Sequence, residues 1–219
     1  MGMTGYRNFR SKRWLALSLL PLLVGSLVFA QSTGCPGIQQ QQLSNGVTAL
    51  GTAPKAAINV QVVNGPQGTF TADQVAAIQT AAQGYSTNAE ATVVSTPSTS
   101  SATANTPVNI VVIATQATID ALGGCDGKGA CSTINKADSK GYTIISTTYI
   151  RADQVNSSLL EQLMTHEDDH VDGGVKDCSE CSNTAANPDV TSSSPTAPTD
   201  CDNAQRKKCD ACEKKKAKK

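Results

Sequence analysis

The chain is poor in histidine and in aromatic residues. Of its 219 residues only two are histidine, and aromatic residues make up 4%. Tyr6, Phe9, Trp14 and Phe29 all lie within the first thirty positions, so few large side chains remain for the rest. We therefore expect a small core that needs reinforcement. Both histidines fall in one short window, which leaves none for a Ser-His-Asp triad elsewhere, and no glycine loop of the phosphate-binding type is present.

The charges balance only in total. Residues 1–30 carry four basic and no acidic residues, and residues 201–219 carry eight basic and three acidic residues, a net charge of +5. Residues 31–200 hold six basic and 15 acidic residues, a net charge of −9. An acidic body argues against nucleic acid as a partner. The Lys-rich end is predicted to be a solvated tail, and an anionic surface is its candidate partner.

The first thirty residues have the pattern of a secretory signal peptide. A basic stretch precedes the apolar run Trp14–Phe29, and Val28 and Ala30 are small residues at the −3 and −1 positions of a cut after Ala30. The alternative is an uncleaved anchor, although the run is slightly short for a membrane span. We expect a secreted or periplasmic protein.

Eight cysteines in an exported chain favour disulfides. Cys125 and Cys131 bracket a flexible glycine-rich loop that a bridge would close. Cys178 and Cys181 form one C-x-x-C, Cys209 and Cys212 form another, and Cys35 and Cys201 remain. Structural zinc held by the two C-x-x-C pairs is the alternative.

The order of the chain predicts one α+β domain with a small mixed sheet packed on an H-E-x-x-H helix. Residues 31–50 indicate a Gln-rich tether, residues 51–182 the domain, and residues 183–219 a Ser/Thr/Pro linker with a Lys-rich, Cys-containing tail; we expect disordered termini. The predicted strands are Ala57–Asn64, Val108–Ala114 and Tyr142–Ile150. The predicted helices run from Thr71 to about Gly84, from Thr118 to Leu122, and from a capping box at Ser158 and Glu161 to about Asp172.

Both histidines lie on the last of these helices, in His166-Glu167-Asp168-Asp169-His170. Positions i and i+4 of a helix lie one turn apart on the same face, so the two imidazoles can converge on one ion. Glu167 is close enough to reach a water on that ion.

A helical projection places the two histidines and Glu167 on the apolar side of the helix. The opposite side is predicted to face water, and its members are Ser158, Glu161, Gln162, Thr165, Asp168, Asp169 and Asp172. A carboxylate on a core-facing stripe costs several kcal/mol unless something compensates it, and a divalent cation would do so.

Here the chain resembles the zincins, zinc metallopeptidases whose active-site helix carries H-E-x-x-H. The resemblance implies that His166 and His170 bind zinc. It implies that Glu167 is the general base for a zinc-bound water that attacks a peptide carbonyl. It also implies that an extended substrate pairs with the strand just upstream of the helix, Tyr142–Ile150.

The third protein ligand departs from the long metzincin pattern. Lys176 occupies the position of the third histidine, although Gly173 fits the glycine, and no methionine follows Met164 to form a Met-turn. Asp177 lies one residue further, and Gly174 can absorb the shift, so Asp177 is the predicted third ligand. The alternatives are Cys178, Glu180 and Asp172.

The function predicted from the sequence is a secreted zinc-dependent metallopeptidase that hydrolyses peptide bonds of a peptide or protein substrate. Two imidazoles, one carboxylate and a water form a known catalytic zinc arrangement, although the same donors suit ferrous iron. A non-catalytic exported metal-binding or cell-surface interaction protein is the alternative function. A cysteine nucleophile at Cys178 is a further, weaker option.

Overall fold

The described part of the chain contains five strands. They are β1 (Asn59–Val63), β2 (Glu90–Val94), β3 (Val108–Ala114), β4 (Ala130–Ala137) and β5 (Thr143–Arg151). The structure is a computed structural model that describes residues 37–180 and 184–216, with side chains as far as Lys208. The predicted signal peptide and Cys35 lie outside the described residues.

The strands form one mixed sheet in the order β2-β1-β3-β5-β4, which confirms the α+β class. β1, β2, β3 and β5 are parallel, and β4 runs antiparallel to β5. β5 is therefore an internal strand with β3 on one side and β4 on the other. The expectation that a substrate adds to Tyr142–Ile150 is wrong, because residues 145–150 already pair with β3 on one side and β4 on the other, and β4 is the edge strand at this end of the sheet.

The helices follow the sequence pattern in part. They are α1 (Ala72–Tyr85), α2 (Gln116–Asp120), α3 (Ala152–Val155), α4 (Leu160–Val171) and α5 (Asp200–Lys216). The capping box of α1 is confirmed, with Thr71 and Gln74 satisfying each other's backbone N–H groups. The second predicted capping box is wrong. α4 begins after Leu159, whose N–H donates to the Ser157 hydroxyl, and no side chain caps the helix.

The main core lies between the sheet and the helices α1 and α4. Its buried side chains are mostly small or β-branched, such as Val60, Ile78 and Val111, and α4 contributes the fully buried Met164. Phe70 and Tyr85 are the aromatic side chains of this cluster. This confirms the prediction that few large side chains are available for the core.

A disulfide joins Cys125 to Cys131 and closes the glycine-rich loop before β4, as predicted. Both cysteines pack in a separate small cluster with Ile119 of α2. Cys178 and Cys201 are also disulfide-bonded. Covalent reinforcement thus accompanies a core of small side chains.

Residues outside the predicted bounds of 51 and 182 contribute to buried clusters. Ile38, Val175 and Ala186 form a buried cluster that joins the N-terminal segment to the C-terminal one. Residues 184–199 are not a linker without core contacts, since Thr184, Ala185 and Ala186 are buried, and the Lys-rich region that follows belongs to α5. None of the helices among the described residues is both long and apolar enough to cross a bilayer.

Candidate metal centre and cleft

His166, His170 and Asp177 meet at one end of α4. The helical i, i+4 spacing brings the two imidazoles together, with 3.2 Å between their Nε2 atoms. Gly173 and Gly174 then reverse the chain, and Gly174 adopts a positive φ of 71°. A side chain at Gly174 would press on the backbone of residues 49–51, so the turn needs glycine.

Asp177 returns over both imidazoles. Its Oδ1 atom lies 3.4 Å from Nε2 of His166 and 3.2 Å from Nε2 of His170. The other candidates for the third ligand either lie outside the cluster of donor atoms or have another bonding partner. The Asp172 carboxylate accepts a hydrogen bond from Asn109, and Cys178 is disulfide-bonded. The cluster of possible metal ligands among the described residues consists of the two histidines and Asp177, without Glu180.

Backbone carbonyls fix the orientation of both histidine rings. Nδ1 of His166 lies 2.9 Å from the Ala185 carbonyl, and Nδ1 of His170 lies 2.8 Å from the Val175 carbonyl. A carbonyl only accepts, so each Nδ1 carries the proton and donates it. In the neutral ring, Nε2 then offers a lone pair toward the other ring and toward Asp177.

Three lone-pair atoms facing one another require a positive charge between them. The separations fit zinc, because tetrahedral bonds of about 2.0–2.1 Å place neighbouring donors about 3.3 Å apart. The observed separations of 3.2, 3.2 and 3.4 Å lie close to this value. Two imidazole nitrogens and one carboxylate oxygen also match the donor chemistry of zinc.

Without a metal, protons take part of that role. Burial would lower the pKa of His170, but Asp177, Glu167 and the Val175 carbonyl outweigh burial and raise this pKa to about 9. Hydrogen bonds from His166 and His170 hold the pKa of Asp177 far below its usual value. The centre therefore favours a cation strongly.

Glu167 lies beside the metal centre and is held by the edge strand. The Ser132 hydroxyl of β4 donates to Oε2 of Glu167 at 2.6 Å, and it lies 2.9 Å from the Thr148 hydroxyl of β5. Ser132 and Thr148 are directly opposite each other across the two strands. Because an ionised carboxylate only accepts, the chain of donors runs from Thr148 to Ser132 to Glu167.

Ser132, Glu167 and the three candidate metal ligands line an open cleft of about 700 Å³. One wall is the beginning of β4, from Ala130 to Ser132, together with the disulfide-closed loop before it. Gln41, Lys176 and Pro188 also line the cleft. The candidate metal ligands and Glu167 thus border the same open cleft.

The prediction that one side of α4 faces water is wrong for its C-terminal half, because Thr165, Asp168, Asp169 and Asp172 are buried, whereas Ser158 is exposed and Glu161 and Gln162 are half-buried. Asp168, Asp169 and Asp172 are each at most 3% exposed. The correction has a tertiary cause: Tyr85 of α1 donates to Asp169, and Asn109 of β3 donates to Asp172. Burial raises the pKa of all three carboxyls, to about 7 for Asp169 and Asp172.

Sequence reasoning missed the residues that support the centre from a distance in the chain. Ser132 lies in β4, a strand that was not predicted, and Ala185 lies in the presumed linker. Ala185 contributes a backbone carbonyl, which no sequence motif can signal. An even alternation of apolar and polar residues would have revealed β4, but its sequence ACSTINKA has none.

Comparison of the chain with models of known protein families and with curated proteins gives no match. The function of the chain is therefore inferred from the geometry of the candidate metal centre and its cleft.

Proposed function

We propose that this protein is an exported zinc-dependent peptidase in which His166, His170 and Asp177 hold zinc and Glu167 is the general base. The single observation that carries the proposal is the spacing of the three donor atoms, 3.2–3.4 Å, beside a carboxylate in the same cleft.

Zinc bound here would activate a water and polarise the carbonyl of the scissile peptide bond. The protein supplies two neutral imidazoles whose tautomers are set by the Ala185 and Val175 carbonyls. It also supplies one carboxylate, Asp177, so that part of the charge of the ion is compensated.

Glu167 has the position and the support that proton transfer requires. One of its oxygens accepts from Ser132, which leaves the other for the attacking water. The carboxylate takes a proton from that water and passes it to the departing amine nitrogen. Its neighbour Ser132 keeps the side chain from turning away from the cleft.

The edge strand β4 suits an extended peptide. One of its edges pairs with β5, the other has no neighbouring strand in the sheet, and its residues from Ala130 to Ser132 line the cleft that contains Glu167. An added strand would receive main-chain hydrogen bonds from β4 and run past the metal centre. This assigns to β4 the role that the sequence suggested for β5.

Export agrees with the disulfide between Cys125 and Cys131, because such bonds persist in oxidising compartments. The basic and apolar pattern of residues 1–30 supports the same location.

The test compares Glu167→Gln with wild type in digestion of an unfolded protein substrate. Wild type should cleave the substrate, lose activity to a chelator and recover it with zinc. Glu167→Gln should retain one zinc per chain and lose about 10²- to 10⁴-fold in turnover, because only the proton transfer is removed.

The matched control is Glu161→Gln, an acid of the same helix outside the cleft lining. It should leave turnover unchanged. If Glu167→Gln cleaves as fast as wild type, or if zinc-loaded wild type cleaves no substrate of a diverse peptide library, the peptidase proposal is wrong and the centre serves metal binding alone.

A further inference from the structure

The C-terminal segment, residues 184–206, reaches the metal centre through a chain of hydrogen bonds that starts at Asp202. We propose that Asp202 is a positioning residue for His166, and that docking of this segment and metal binding strengthen each other. The inference rests on the proposed metal centre, but it does not depend on peptidase activity.

Asp202 ties the beginning of α5 to Ala185. The Asp202 side chain is fully buried, and its Oδ2 atom accepts from the Ala185 N–H at 3.2 Å and from the Thr199 N–H at 2.8 Å. The Thr199 hydroxyl donates to the same oxygen at 2.7 Å. One carboxylate therefore organises two separate parts of the segment.

The next step leads directly to a metal ligand. The Ala185 carbonyl accepts the Nδ1 proton of His166 at 2.9 Å, so the position of Ala185 sets the orientation of the His166 ring. Hydrogen-bond partners of this kind keep Nε2 of a ligating histidine aimed at its ion.

The same segment also supports the region of Asp177. The Ala186 carbonyl accepts from the N–H of Cys178, the residue after Asp177, at 2.8 Å. Ala185 thus binds one proposed ligand, His166, and Ala186 binds the residue that follows another, Asp177. At the far end, Arg206 lies over the ring of Tyr85 at 5.4 Å and donates to the Thr52 hydroxyl.

These contacts make the two events thermodynamically linked. When the segment is undocked, the His166 ring is free to rotate. Zinc binding must then fix the ring, and the entropy lost in fixing it lowers the affinity for zinc. By reciprocity, zinc favours the docked segment by the same factor by which docking favours zinc. Loss of such a supporting contact costs about 10- to 100-fold in metal affinity.

The experiment measures zinc affinity of the full chain by competition with a chromophoric chelator, using zinc alone as the probe. Asp202→Ala should weaken zinc binding by about 10- to 100-fold, because the Ala185 and Thr199 N–H groups lose their acceptor. Asp202→Asn keeps an acceptor oxygen and should restore most of the affinity. The control Asp200→Ala changes an exposed acid of the same helix and should remain within about twofold of wild type.

A second measurement covers the case in which Asp202→Ala does not fold. In wild type, zinc should slow proteolysis and hydrogen exchange of residues 184–206 compared with chelator-treated protein. Equal zinc affinity of folded Asp202→Ala and wild type, or no zinc-dependent protection of the segment, overturns the proposal. Wild type that binds no zinc overturns both the metal centre and this coupling, whereas wild type that binds zinc without cleaving peptides refutes only the peptidase function.

Discussion

The proton on His170 should make the metal-free protein less stable at alkaline pH. The pKa of His170 is raised from 6.5 to about 9 in the folded state, because Asp177, Glu167 and the Val175 carbonyl outweigh the effect of burial. A raised histidine pKa contributes stability that is fully present below about pH 6.5 and is lost as the pH rises through about 9. The difference corresponds to about 3 kcal/mol in the free energy of unfolding.

The measurement is urea unfolding of chelator-treated wild type and of His170→Gln at pH 6, 7.5 and 9. Other groups titrate in both proteins, and His170 lowers the pKa of Asp169 and of Asp177, so the comparison reports the proton of His170 together with its effect on these two carboxyls. The stability difference between wild type and His170→Gln should therefore shift by about 3 kcal/mol against wild type from pH 6 to pH 9. A difference that does not change with pH would refute the reasoning.

Zinc binding should reverse this dependence, because a ligating imidazole must release its proton. One proton displaced from His170 predicts an affinity that rises about tenfold per pH unit between about pH 7 and 9. Calorimetry in buffers with different ionisation enthalpies should count that proton. Zinc affinity that is flat over this range would show that His170 is not a ligand.

Three further predictions concern single side chains. Ser132→Ala should lower turnover by about 10- to 100-fold, because Glu167 loses one hydrogen bond, and it should leave zinc affinity unchanged. Ser132→Thr keeps the hydroxyl and is the control. Equal turnover of the Ala and Thr variants would contradict the role of Ser132. Met164→Ala should reduce the free energy of unfolding by about 2–5 kcal/mol in urea titrations, because Met164 is fully buried in the core with α1 and the sheet. A loss below about 1 kcal/mol would contradict this packing. Gly51→Ala should lower the melting temperature of the protein more than Gly46→Ala does. Both glycines have a positive φ, but only a Cβ at Gly51 would collide with the Asp172 carbonyl. Equal decreases in melting temperature would show that this close contact has no effect.

The sequence predicted those features that depend on neighbours in the chain. The spacing of His166 and His170 fixes their convergence once a helix forms, and the capping box of α1 satisfies groups three residues apart. The glycine pair after α4 allowed the return of Asp177 to be expected, because a positive φ at Gly174 is a local property of the backbone.

The same reasoning failed where a distant segment decides the environment. Asp168, Asp169 and Asp172 have the periodicity of a solvated face, but all three are buried, and Tyr85 and Asn109 from other elements donate to two of them. Periodicity separates the two sides of a helix, and it contains no information about which other element packs on the polar one.

By itself, the sequence determined the donor pair, the acid between them and the class of fold. The tertiary structure alone decided that β4 rather than β5 is an edge strand and that Ser132 donates to Glu167. It also placed Asp202 on the N–H of Ala185, whose carbonyl accepts from His166. The physical reason is that these contacts join residues 17 to 35 positions apart in the chain. Such contacts form only when the whole chain closes its loops around a common core.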